Sequence, residues 1–222
     1  MNLRHPENTN LHLHYNESYR GLTVMAKHAP LIREYLDRCY EVTHLALAEH
    51  PRLFAGRFDL HFPADCLFTD EDRSNRAISK FVDSLTVRIR THRARSMREH
   101  GSVHGTSVRW FWVREEGDSA AGHQHYHFVL LLNWDAYRSL GSFNSGRDNL
   151  YRRIQAAWAG ALRMDVDDAD GLVYVPDNAV YKLTRDPETS MMPAYFKRIS
   201  YMCKTRSKVY SHCYHAFNSS RG

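Results

Sequence analysis

The sequence lacks the features that mark secreted, membrane-spanning and nucleotide-driven proteins. Its 222 residues include only four cysteines, and none forms a C-x-x-C pair. No apolar run is long enough to cross a bilayer, and the polar first residues lack the apolar stretch of a signal peptide. A G-x-x-x-x-G-K-[ST] phosphate loop is also absent. We therefore expect a cytoplasmic protein with reduced thiols and no ATP-driven motor.

Positive charge exceeds negative charge, with 30 Lys and Arg against 25 Asp and Glu and a formal net charge of +5. This mild excess favours an anionic partner, of which nucleic acid is the most common. An arginine-rich stretch at 88–98 fits either a solvated helix face or a phosphate-contacting one. The hydrophobic content of 43% is sufficient for one large domain, or for one domain with a helical extension.

Apolar periodicity predicts both helices and strands. Spacing typical of helices occurs at 22–50, where Pro30 is expected to start a second helix, at 70–100, where Thr69 or Asp70 is expected to act as the cap, and at 145–163 and 193–207. Alternation typical of a half-buried strand occurs at 56–63, and alternating aromatic and β-branched residues predict a strand at 107–115. A core strand is expected at 123–132, and a short strand at 171–176.

Histidines occupy alternate positions at the start of the third strand. Because alternate side chains of a strand share a face, His123, His125 and His127 are expected to point the same way. Imidazoles grouped in this way are typical of a metal site, although a polar strand end that faces water has the same pattern. A short loop joins this strand to the preceding one. An antiparallel hairpin would therefore bring Glu115 and Glu116 beside the histidines.

The last predicted helix contains a Tyr-x-x-Lys motif. At helical spacing, Tyr201 and Lys204 share one face with Lys197. A nearby ammonium group favours the phenolate form of a tyrosine, which is the nucleophilic form. Tyr195 is a second candidate but lies on a different helical face. Upstream, Asp59 and His61 share one face of the first strand, which either borders the site or faces solvent.

Together these motifs resemble those of the HUH endonucleases, the rolling-circle replication initiators of small plasmids and single-stranded DNA phages. The order is a strand containing "DLHFP", a hairpin strand with His-hydrophobic-His, and a helix with Tyr-x-x-Lys. The chain is most similar to the inovirus-type replication proteins grouped with the YagK/YfjJ C-terminal domain family. The similarity is clearest in "WVREE…HYHFVLLLN" and "SYMCK", and it extends from about residue 20 onward.

The resemblance implies a fold and a metal site. The fold is α+β, with a central antiparallel sheet of about five strands and flanking helices. It places a catalytic domain at 53–222 after an N-terminal tail and helical extension at 1–52. The implied ligands of Mn²⁺ or Mg²⁺ are His125, His127 and Glu115, with Glu116 and His123 as further candidates.

The resemblance also implies an activity. Tyr201 is the nucleophile that nicks single-stranded DNA and forms a 5′-phosphotyrosine link, and Lys204 assists it. The substrate is single-stranded DNA or a DNA hairpin at a replication origin, and a separate helicase and polymerase act with the protein in the cytoplasm of a bacterial host, without a membrane partner. Two alternatives stay open. They are a DNA-binding regulator that does not cut, and a metal-dependent hydrolase that uses water and does not need Tyr201.

Overall fold

The computed structural model describes residues 3–63, 75–117, 124–143, 148–208, 210 and 214–221. Four two-residue strands come first: β1 (Leu13–His14), β2 (Ser18–Tyr19), β3 (Leu22–Thr23) and β4 (Leu31–Ile32). Six more form the main sheet: β5 (Arg52–His61), β6 (Arg109–Glu116), β7 (Gln124–Asn133), β8 (Val173–Tyr174), β9 (Val180–Thr184) and β10 (Phe217–Ser219).

The main sheet is antiparallel throughout. Its order is β10-β6-β7-β5, and β8 and β9 both pair with the remaining edge of β5, so the sheet is five strands wide. The predicted central antiparallel sheet is confirmed, as is the hairpin formed by β6 and β7. Strands β9 and β10 were not predicted from the sequence.

In the described ranges, four helices cover the two faces of this sheet: α1 (Arg33–Glu49), α2 (Arg76–His100), α3 (Leu150–Leu162) and α4 (Met192–Ser200). Helices α1 and α4 share an apolar core with one face, and α2 and α3 share a core with the other. The α+β class is therefore confirmed. None of the helices in the described ranges is long and apolar enough to cross a membrane.

Two predicted helices are shorter than their apolar spacing indicated. Helix α1 begins at Arg33, because the chain before it forms short strand pairs and a 3₁₀ turn at Ala26–His28, and Pro30 precedes β4 rather than a helix. Helix α4 ends at Ser200 and continues as a 3₁₀ turn over Tyr201–Cys203. The described part of α2 begins at Arg76, and its predicted caps Thr69 and Asp70 lie outside the described residues.

Strand β5 is buried on both faces, so the prediction of a half-buried strand there was wrong. Eight of its ten residues are buried. Phe58 and Leu60 pack toward α2, whereas Arg57 and Asp59 are enclosed on the opposite side. Alternation therefore separated two buried environments, one apolar and one polar, rather than a core face and a solvent face.

The polar side chains of β5 lie on the same face of the sheet as the apolar side chains that pack under α1. On the face that α1 covers, Val129 and Leu131 of β7 pack with buried residues of the helix. Since strand side chains alternate, His125 and His127 point to this same face, and so does Glu115 of β6, two residues beyond Val113. Helix α1 thus shares a core with the sheet, and the boundary at 52/53 stays a prediction.

Candidate metal centre and nucleophile

Strand register brings three of the predicted metal ligands together. The β6–β7 ladder places Glu115 directly opposite His125, and it places Val113 opposite His127. One ligand atom from each of Glu115, His125 and His127 lies within 4.8 Å of the other two. The hairpin predicted from the sequence is therefore sufficient to assemble this group, because the alternation puts all three side chains on one face.

His127 is oriented by a carboxylate from the neighbouring strand. Asp59 lies opposite His127 in the β5–β7 ladder, and its Oδ1 is 2.7 Å from His127 Nδ1. If Nδ1 donates this hydrogen bond, Nε2 carries the lone pair. Within the described residues Nε2 has no hydrogen-bond partner, and it lies 3.4 Å from Glu115 Oε2. A buried imidazole nitrogen fixed in this way is the usual arrangement of a metal-binding histidine.

Charge around Asp59 favours its ionised form. Burial alone would raise the pKa of Asp59, but the hydrogen bond to His127 and the charge of Arg57 outweigh it and hold this pKa below its usual value. Arg57 Nη2 lies 3.4 Å from both carboxylate oxygens. The ring of His125, another predicted metal ligand, stacks on that of His61 with centroids 5.4 Å apart. Burial lowers the pKa of His61 below its usual value.

Two lysines hold the Glu115 carboxylate. Lys204 Nζ lies 2.6 Å from Oε2, the buried Lys208 ammonium donates to Oε1, and Ser207 Oγ is 2.8 Å from Oε2. Burial would raise the pKa of Glu115, yet the contact with His127 and the charges of the two lysines keep it well below the usual range. Burial lowers the pKa of Lys208 to about 8. No pattern in the sequence indicated a role for Lys208.

Glu115, His125 and His127 line a cleft that Tyr201 also borders. The cavity is about 290 Å³, and it is lined by the three ligand residues, Tyr201 and Lys204 among others. The ring centroid of Tyr201 is 6.1 Å from that of His127, and Lys204 Nζ lies 3.8 Å from the centroid of the phenol ring. The structure thus brings the predicted nucleophile, its lysine and the metal ligands together. Lys197 is exposed and is not among the lining residues.

Other candidates have different surroundings. Tyr195 is almost completely buried, and its hydroxyl is 3.1 Å from that of Thr43, so it is a core residue. Glu116 borders the cleft, but it is on the opposite strand face from Glu115 and pairs with Arg114 at 3.2 Å. His123 lies outside the described residues.

The donor set fits a divalent cation. Two imidazole nitrogens and one carboxylate oxygen suit Mn²⁺, and Mg²⁺ is also bound by such a site when most other positions are left to water or phosphate oxygens. The unpartnered Nε2 of buried His127 supports the fit, since buried polar atoms otherwise find partners. The opposing observation is that both Glu115 oxygens already contact lysine ammonium groups.

Fold and site together define an α+β protein whose antiparallel sheet presents a two-histidine, one-glutamate group beside a tyrosine. The chain belongs to the YagK/YfjJ C-terminal domain family, whose model matches residues 14–220. It is 32% identical over 195 residues to the uncharacterized protein YagK of Escherichia coli K12, covering 85% of this chain and 92% of YagK. It is 31% identical over 197 residues to the uncharacterized protein YfjJ of the same strain, covering 85% and 94%. No solved structure matches the chain.

Proposed function

We propose that this protein is a metal-dependent endonuclease of the HUH type, which nicks and rejoins single-stranded DNA with Tyr201. It would start rolling-circle replication of a phage, plasmid or related mobile element in the bacterial cytoplasm. The observation that carries the proposal is that Tyr201 lines one cleft with the three candidate metal ligands. Membership of the YagK/YfjJ C-terminal domain family supports this proposal only because the motifs of this chain resemble those of the HUH endonucleases.

The residues of the cleft divide into a group that holds a metal and a group that performs the attack. Glu115, His125 and His127 would bind Mn²⁺ or Mg²⁺, and Asp59 would keep Nε2 of His127 available by accepting a hydrogen bond from Nδ1–H. When bound, the cation supplies polarisation of the scissile phosphate and stabilises its developing negative charge.

Tyr201 performs the transfer. Its phenolic oxygen attacks phosphorus in line, a bond from tyrosine to the 5′-phosphate forms, and the bond to the 3′ oxygen breaks. The phenol loses one proton and the departing 3′ oxygen takes up one, so that a free 3′ hydroxyl forms and can prime synthesis. Lys204, whose ammonium lies 3.8 Å from the centroid of the phenol ring, would assist this attack. Because the phosphotyrosine retains a phosphodiester, rejoining needs no ATP, and unwinding and synthesis fall to a separate helicase and polymerase.

Covalent trapping tests the proposal. The protein is incubated with Mn²⁺ and a random-sequence pool of single-stranded oligonucleotides labelled at the 3′ end, since that fragment stays attached to tyrosine. We expect a labelled protein band on a denaturing gel. It should disappear with a chelator and in Tyr201→Phe, and persist in Tyr15→Phe, a matched change at a half-exposed tyrosine outside the cleft lining. Cleavage without an adduct would instead indicate a hydrolase that uses water.

The lysine contacts to Glu115 favour a second candidate, a DNA-binding regulator that does not cut. A carboxylate neutralised by Lys204 and Lys208 is stable without a metal. For such a protein, the trapping experiment yields neither cleavage nor adduct, and Tyr201→Phe leaves DNA binding unchanged.

A further inference from the structure

The candidate metal centre contains more positive than negative charge. Its two buried carboxylates, Glu115 and Asp59, face three cationic groups within 4 Å: Lys204 and Lys208 at Glu115, and Arg57 at Asp59. Arg206 also borders the cleft. Glu116 lies at the edge but is matched by Arg114. A divalent cation that enters this group of residues therefore meets repulsion that the carboxylates do not cancel.

The two lysines differ in their freedom to move. The side chain of Lys208 has 0% exposure, and its ammonium is fixed on Oε1 of Glu115. Lys204 lines the cleft, retains 7% side-chain exposure, and contacts Oε2, the carboxylate oxygen nearer His127. Oε2 also accepts a hydrogen bond from Ser207 Oγ, so both of its lone pairs are used and a metal ion has to displace one of the two donors. The ammonium of Lys204 is the donor that a cation repels. Lys204 is buried, so an ammonium that is released from Glu115 and stays at this position needs another anion.

A DNA phosphate meets both requirements. Its negative charge offsets the cation excess, and its oxygens accept hydrogen bonds from an ammonium group. We propose that the divalent metal and single-stranded DNA bind this site as a coupled pair, with Lys204 passing from Glu115 to a DNA phosphate when the metal is bound. The inference rests on the proposed function, because it takes the cleft to be the site that holds both metal and DNA.

Coupling of this kind is reciprocal, so it can be measured from either side. We would titrate Mn²⁺ into Tyr201→Phe protein, which cannot form the adduct, and follow the free-ion signal by electron paramagnetic resonance with and without oligo(dT) of about 20 nucleotides. We expect DNA to tighten Mn²⁺ binding by about tenfold or more, and Mn²⁺ to tighten DNA binding by the same factor, after subtraction of the ions bound by DNA alone.

Further substitutions in the Tyr201→Phe protein identify the side chain that couples Mn²⁺ binding to DNA binding. Lys204→Met should bind Mn²⁺ about tenfold more tightly without DNA and should gain less from DNA, because the competing charge at Oε2 is gone. Lys197→Met, a matched change at an exposed lysine one turn before Tyr201, should behave like its parent. Glu115→Gln should abolish the DNA-dependent gain, which assigns the ion to this site.

Equal Mn²⁺ affinity with and without DNA would overturn the inference, and so would a Lys204→Met protein that binds Mn²⁺ no more tightly than its parent. The comparison of Mn²⁺ affinity with and without DNA uses only the Tyr201→Phe protein, so it does not depend on whether the Lys204 and Glu115 variants fold. Its outcome is separate from that of the trapping experiment: an adduct without coupling removes only this inference, whereas coupling without an adduct removes the nicking activity.

Discussion

The two halves of one sheet face are almost equally buried but chemically opposite. Under α1, the face is formed by side chains that are no more than 1% exposed: Leu53, Ala55, Phe111, Val129 and Leu131. A few residues farther along the same strands, Asp59, Glu115 and His127 are only 3–6% exposed. The first half releases its surface from water and gains stability by doing so. The second encloses charges, which is costly unless each has a partner.

The polar half meets that requirement almost completely. Asp59 is bound by His127 and Arg57, and Glu115 by Lys204 and Lys208. Nε2 of His127 is a buried nitrogen without a partner in the described ranges. The two halves therefore differ in kind: the apolar half stabilises the fold, whereas the polar half keeps one imidazole nitrogen, Nε2 of His127, without a hydrogen bond in the described residues.

The largest effect on activity should come from the removal of Nε2 of His127. Replacing His127 with Asn removes Nε2, and we expect Mn²⁺-dependent adduct formation to fall by about a thousandfold or more, since stabilisation of phosphate charge by a metal contributes several kcal/mol. His100→Asn, at the exposed end of α2, is the matched control. A rate within tenfold of the parent would mean that the polar half does not hold a catalytic metal.

A substitution in the apolar half should lower the stability of the protein without changing its Mn²⁺ affinity. Leu131→Ala creates a cavity under α1, and we expect the free energy of unfolding to fall by about 2–5 kcal/mol in urea titrations. The Mn²⁺ affinity of the folded variant should stay that of the parent. If Mn²⁺ affinity fell by tenfold in protein that is still folded, the two halves would not be separable.

Asp59 should have an intermediate effect, because it acts through His127. Asp59→Asn removes the charge that fixes the imidazole, and we expect Mn²⁺ affinity to weaken by about 10–100-fold, the usual cost of losing such a partner. Isothermal titration with Mn²⁺ measures this, with the exposed Asp167→Asn as control. An unchanged affinity would show that His127 is oriented without Asp59.

The smallest effect should be a pH dependence of stability at Lys208. Burial lowers the pKa of Lys208 to about 8 in the folded protein, so the unfolded chain binds this proton more tightly. The resulting penalty is complete below pH 8 and is relieved as the pH rises toward the ordinary pKa of lysine. From about pH 7 to about pH 9.5, the wild type should gain about 1–2 kcal/mol of unfolding free energy relative to Lys208→Met. A constant difference would contradict the assignment of a buried, charged lysine.

Local patterns predicted the centre of this site well. The alternation of β6 and β7 and the short loop between them were sufficient to place Glu115 and Glu116 near His125 and His127. The choice of Glu115 came from the resemblance, since a one-residue slip of the register would turn every side chain of a strand to the other face. The position of Tyr201 in the same cleft followed from the resemblance rather than from spacing.

The supporting residues could not be predicted in this way. Asp59 is 68 positions from His127, and Lys208 is 93 positions from Glu115. Their contacts depend on how β5 and the chain after α4 dock on the hairpin, which no local periodicity encodes. The same cause shortened α4: after Ser200 the chain turns so that Lys204 pairs with Leu31 beside β6, although its apolar spacing favoured a longer helix.

Mapping the covalent bond tests the central claim most directly. Protein incubated with Mn²⁺ and the single-stranded pool is digested with nuclease and protease, and the peptides are analysed by mass spectrometry. The account predicts a nucleotide remnant on Tyr201, formed only with the metal present. A remnant on another residue, or DNA cleaved while Tyr201 stays unmodified, would contradict it.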